Sequence, residues 1–155
     1  MRNAGLVAVA LLAIGGPFVL GWYPDHRAEA ATTGTLVSPG LVLPRMNPQN
    51  GKTLFASKGC VVCHSINGIG GTDAAALDAT TMDRAMNPFE FFAKMWGGAE
   101  AMIMMQNNEL GHQIEFTGDE LADIVAFVHH RNVQRTFSEK DIPDEIKELM
   151  EGDEE

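Results

Sequence analysis

Cysteine is nearly absent from this 155-residue chain, which holds only Cys60 and Cys63. Two thiols so close together cannot form the disulfide framework of a small secreted scaffold. Basic residues are also scarce, with 11 Lys and Arg against 21 Asp and Glu, giving a formal net charge of −10. An acidic chain is repelled by phosphate backbones, so no nucleic-acid partner is expected. No internal repeat is visible, and no stretch alternates polar and apolar residues for long enough to predict a sheet. At about 100–200 residues per domain, the length allows one modest domain with appendages and excludes a multidomain enzyme. Apolar residues at 45% and charged ones at 21% are ordinary globular usage, which excludes wholesale disorder and a polytopic membrane protein.

What is present begins at the N-terminus. Behind Arg2, the nineteen positions from Ala4 to Trp22 carry no charge, as in a signal peptide or an uncleaved membrane anchor. Ala28-Glu29-Ala30 offers a small-x-small cleavage site, and Gly15, Gly16 and Pro17 interrupt the apolar run. Trp22 and Tyr23 stand where the interfacial aromatics of a spanning helix belong. Both readings export the chain, and they predict a bacterial periplasmic location, soluble or held to the inner membrane through residues 4–22. Residues 1–30 are thus read as signal peptide or anchor. Residues 31–46, with Thr, Gly, Pro39 and Pro44, read as an extended lead-in, and 47–137 as the folded domain.

Residues 138–155 form an acidic tail of nine carboxylates and two lysines, contributing −7 of the total charge. Such an end is expected to be solvated and frayed. The alternative is a short helix opened by Pro143, with Ile142, Ile146, Leu149 and Met150 as its apolar stripe.

Within the domain the helix signals are local. Leu54, Phe55 and Ala56 lie on a turn ended by Gly59, and Asn87-Pro88-Phe89-Glu90 combines an N-cap residue with proline at the first helical position. Phe89, Phe92, Met95 and Trp96 then share one face until Gly97-Gly98. Residues 99–110 have helical composition. Thr117-Gly118-Asp119-Glu120 is a capping box, followed by Leu121, Ile124, Val125 and Val128 at helical spacing. Residues 65–81 have loop composition, from which little core is expected.

Cys60-Val61-Val62-Cys63-His64 is the C-x-x-C-H pattern of covalent haem attachment. Two thiols on one turn can each add to a haem vinyl group, and the adjacent imidazole is then held beneath the iron. A thioredoxin-like redox pair would need a βαβ setting that this sequence lacks. A zinc site would need further ligands, and His112, His129 and His130 lack the H-x₃₋₅-H spacing. The sixth iron ligand must come from elsewhere. Met95, Met102, Met104 and Met105 are candidates, because a thioether opposite histidine suits electron transfer, and each is equally suited to core packing. His112 is the other candidate.

Gly51-Lys52-x-Leu54-Phe55 followed by Lys58-Gly59-Cys60-Val61-Val62-Cys63-His64 resembles the first helix and haem loop of class I c-type cytochromes, and Thr117 to His130 resembles their last helix. The resemblance covers about residues 47–132. It implies an all-α, cytochrome c-like fold around one covalently bound haem c, with the first and last helices crossing near Gly51, Phe55, Ile124 and Phe127. One branch of that family carries Met-Trp-x-x-Ala-Pro-x-Met, which Met95-Trp96-Gly97-Gly98-Ala99-Glu100-Ala101-Met102 resembles, so Met102 is implied as distal ligand. Glu100 replaces the proline, and the choice between Met102 and Met105 stays open. Members also commonly have a proline whose carbonyl accepts from the proximal histidine. Here the run is Ala74-Ala75-Ala76-Leu77, which can supply a carbonyl with a less rigid backbone.

The expected function is single-electron transfer by an exported monohaem cytochrome, not an enzyme. Its redox partners would be respiratory proteins such as a cytochrome bc1 complex or a terminal oxidase. Cys60 and Cys63 anchor the haem, and His64 and Met102 bind the iron. Phe89, Phe92, Met95 and Trp96 are expected to line the pocket. The alternatives are a fixed haem subunit of a membrane-bound redox complex and a haem sensor or peroxidase. The sequence offers the last of these no distal His or Arg to assist peroxide cleavage.

Overall fold

Helix α1, Pro48–Ser57, begins at a cap formed by Asn47, whose side chain accepts from the N–H groups of Gln49 and Asn50 at 3.1 and 3.2 Å. It ends at Gly59, whose φ of +83° is a left-handed turn that glycine adopts without strain. That turn starts α2, Cys60–Cys63, at once. The computed structural model describes residues 34–152, so the signal or anchor segment 1–30 lies outside the described residues. A small ribbon, β3 Ser65–Ile66 with β4 Ile69–Gly70, follows α2, and a loop then leads to α3, Pro88–Gly97, and α4, Ala99–Glu109. Helix α5, Gly118–His129, carries the expected Thr117/Glu120 capping box, and α6, Arg131–Gln134, continues from it. A single 3-10 turn, Glu139–Asp141, precedes α7, Asp144–Glu151.

The fold is mostly α-helical, and its centre is the crossing of α1 and α5. A Cβ at Gly51 would lie 1.9 Å from the Asp123 carbonyl oxygen and 2.8 Å from Phe127 Cβ, so only glycine permits this approach. Phe55, Phe127 and Phe137 pack around the crossing with ring centroids 5.6–5.9 Å apart. The buried carboxylate of Asp123 clamps the two helices: it accepts from Asn47 N at 2.6 Å and from Asn50 Nδ2 at 2.7 Å.

Three expectations change. The lead-in 31–46 contains an antiparallel hairpin, β1 Gly34–Ser38 with β2 Leu41–Pro44, turning at Pro39-Gly40. Its residues are short of a full amphipathic alternation because most of them stay exposed, which is why period-two patterning does not reveal it. The acidic tail is not frayed from residue 138: Ile142 and Ile146 join the main core, and Lys52 Nζ binds Asp141 Oδ1 at 2.7 Å. Burial of the apolar stripe on α7 outweighs the cost of ordering an acidic segment. The loop 65–81 also supplies core, since Ile66 is fully buried and Ala79 nearly so.

Candidate haem site

The residues of C-x-x-C-H occupy one turn. Cys60 and Cys63 open and close α2, Val61 and Val62 between them point into the core, and His64 is the C-cap residue. Cys60, Cys63 and His64 are all half-buried. Burial pushes the Cys60 thiol up to about 12. A redox-active C-x-x-C pair shows the opposite shift, toward the thiolate.

His64 Nδ1 lies 2.7 Å from the carbonyl oxygen of Ala75. A carbonyl can only accept, so Nδ1 carries the proton and the Nε2 lone pair is left for a metal. The Ala74–Leu77 run thus supplies, without proline, the carbonyl that orients the imidazole. The loop bearing that carbonyl is held at several points. Ala74 N donates to Cys63 O at 3.0 Å, Gly71 N to Val61 O at 2.9 Å, and Leu77 N to Ser65 O at 2.9 Å. Gln134, 2% exposed, completes the bracing: its Oε1 accepts from Ala79 N at 2.7 Å and its Nε2 donates to Leu77 O at 2.8 Å. Asn67 Nδ2 in turn donates to the Gln134 carbonyl at 2.9 Å. Neither Gln134 nor Asp123 stands out in the sequence, because an isolated polar residue reads as solvated.

Met102 and Met105 lie three residues apart on α4, hence on one face, and both are half-buried, whereas Met104 is exposed. Burial thus treats Met102 and Met105 alike. Met95 on α3 is also half-buried. The other described histidines also bond locally, and His129 Nε2 lies 3.1 Å from Met86 Sδ. His112 is exposed, with Nδ1 2.9 Å from Leu110 O. His129 Nδ1 donates to Val125 O at 2.7 Å, as a residue complementing a helix C-terminus should. His130 Nδ1 accepts from Val133 N at 3.2 Å and so caps α6.

Helix α3 starts as read, with Asn87 Oδ1 accepting from Phe89 N at 3.1 Å. Of the four side chains expected around the pocket, Phe92 and Met95 are half-buried, while Phe89 and Trp96 are exposed, Trp96 to 83%. No residue of α3 is fully buried despite its apolar sequence. Such uncovered apolar surface suits a large flat apolar group, and two thiols and an oriented imidazole on one turn are the donors a covalent haem requires.

The cytochrome c family model matches residues 48–132, more than half of the chain. The chain belongs to the cytochrome c family. No curated protein and no solved structure matches it. Cytochrome c proteins bind haem c covalently and generally act as electron carriers, so this cytochrome c is a haem-binding electron-transfer protein. The matched region runs from the first residue of α1 to the middle of α6, and so includes α2, His64 and both half-buried methionines of α4.

Proposed function

We propose that this cytochrome c carries one haem, is exported to the bacterial periplasm and passes single electrons between respiratory partners without transforming a substrate. Cys60 and Cys63 hold the group by thioether bonds, His64 binds iron through Nε2, and Met102 is the distal ligand. The bound haem supplies a one-electron ferric/ferrous couple. Around it, Ala75 fixes the His64 ring and keeps its proton on Nδ1, while Phe92 and Met95 exclude water. The observation that carries this reading is the bond from His64 Nδ1 to Ala75 O, because it leaves Nε2 unprotonated and oriented on the turn that holds both thiols. Haem-peroxidase staining of a denaturing gel tests it. The native chain should retain haem and a Cys60→Ser/Cys63→Ser variant should lose it. A double variant that keeps haem through denaturation overturns the assignment.

A second reading, a haem subunit held at the membrane by residues 4–22, is favoured by the exposed apolar side chains of the β1–β2 hairpin. Among the described residues no helix is long and apolar enough to cross a membrane, and this reading takes residues 4–22 as the anchor. Carbonate extraction of membranes separates the two readings: an anchored chain stays with the lipid, and a cleaved one is released.

A further inference from the structure

The β1–β2 hairpin is a ribbon whose base is attached and whose tip is not. At its base Leu43 and Pro44 are half-buried, and the chain leaving it is clamped where Asn47 N donates to Asp123 Oδ1 at 2.6 Å. Toward the tip, Leu36 is 68% exposed, Leu41 61% and Val37 53%. Leu36 pairs with Val42 across the ribbon, so these two share a face, while Leu41, the neighbour of Val42 in β2, belongs to the other. The turn itself is Pro39-Gly40. The ribbon is therefore apolar on both faces and at its end.

A partner protein would cover one face of such a ribbon. A medium that surrounds an apolar tip on all sides suits it better, and the sequence indicates which medium. The fifteen positions from Ala30 to Pro44 carry no charge in a chain of net charge −10. A short polar stretch, Asp25 to Glu29, separates them from the uncharged run that ends in Trp22 and Tyr23. Leu36 follows Trp22 by fourteen residues, which span at most about 50 Å even when fully extended. A chain anchored at Trp22 thus keeps the ribbon within reach of the same lipid surface. At so short a tether the effective concentration is on the order of millimolar, enough to populate a contact of only a few apolar side chains.

We infer that the tip of the β1–β2 ribbon, Leu36 to Val42, inserts into the lipid surface as a second membrane contact, orienting the haem domain relative to the bilayer. This rests on the reading of residues 4–22 as a retained anchor. Two points of attachment restrict the domain's rotation about its tether, which a single flexible linker does not.

The test uses the full-length holoprotein in phosphatidylcholine vesicles, where thioether formation occupies Cys60 and Cys63. Val37→Cys places a thiol in the ribbon, and Asn132→Cys, at an exposed position of α6, serves as the aqueous reference. Labelling by a charged maleimide is compared between the two, so that random orientation of chains across the vesicle cancels. The charged reagent is excluded from hydrocarbon, so Val37→Cys should label about tenfold more slowly than Asn132→Cys at every lipid-to-protein ratio. Equal rates in vesicles that carry the protein on flotation overturn the ribbon contact and leave the anchor standing. A chain that does not float with the vesicles overturns both. Protection that vanishes as lipid is increased marks a second copy of the chain on the ribbon and also overturns the lipid contact.

Discussion

The imidazole of His64 and the carbonyl of Ala75 are hydrogen-bonded at 2.7 Å, although eleven positions separate them. The bond decides which nitrogen can bind iron, and its acceptor is a loop carbonyl with no rigid ring behind it. Its geometry is therefore only as good as the bracing of the loop, and the buried side chain of Gln134 supplies much of that bracing.

Gln134→Leu keeps the volume and removes both loop bonds, leaving Ala79 N–H and the Leu77 carbonyl without the Gln134 partner. The expected loss is about 2–4 kcal/mol of stability, from two buried polar groups left unsatisfied. A urea titration followed at the haem absorption band should show a lowered midpoint. An unchanged midpoint would mean that the loop is held by its backbone bonds alone.

Glu120 makes the start of α5 sensitive to acid. The Thr117 N–H, 2.9 Å from Oε2, is the main cause that holds this carboxyl below its usual 4.5; burial opposes it, and Lys58, 3.0 Å from Oε1, assists. A carboxyl depressed in the folded state contributes stability above its unfolded value and loses it as pH falls through the folded one. Glu120→Gln keeps a capping acceptor and removes the charge, so it should cost about 0.5 kcal/mol at neutral pH, and the gap to the native protein should close as pH drops below 4.5. Urea midpoints at both pH values check this, and a gap that persists in acid would assign the loss to packing.

The acidic segment has two separable parts. Ile146 is buried in the main core, so Ile146→Ala should destabilise by about 2–4 kcal/mol without altering association with a partner. Glu145, Glu148 and Glu151 are exposed, and replacing all three by Gln should leave the midpoint unchanged. If they steer a positively charged redox partner, the triple variant should transfer electrons more slowly at low ionic strength and normally at high salt, because screening acts beyond a Debye length of about 8–10 Å. Removing the whole segment would confuse the two effects. Stopped-flow rates across a salt series would show whether the carboxylates act on docking.

Met102→Ala should abolish the methionine–iron charge-transfer band of the oxidised protein and lower the reduction potential, because the thioether stabilises ferrous iron. Met105→Ala should preserve the band. The reverse pattern would give the distal position to Met105.

What the sequence determined by itself is whatever depends on neighbours within a turn. C-x-x-C-H needs only five consecutive residues on one turn, and the caps at Asn87-Pro88 and Thr117-Glu120 close within three or four positions, so their chemistry is visible without the fold. The apolar face of α5 repeats at helical period and marks its own burial. Tertiary structure alone decided the rest. Asp123 meets the N–H of Asn47 across 76 positions, and Gln134 reaches Leu77 across 57. Such bonds leave no periodic trace, and a single polar residue buried by a distant partner looks the same in sequence as one facing water. The docking of α7 was undecided for a related reason: its charge predicts solvation and its stripe predicts burial, and only the presence of a complementary apolar surface at Val62 and its core neighbours settles which term is larger. The hairpin of residues 34–44 is the converse case, since its apolar side chains carry no pattern of burial because the described residues do not bury them.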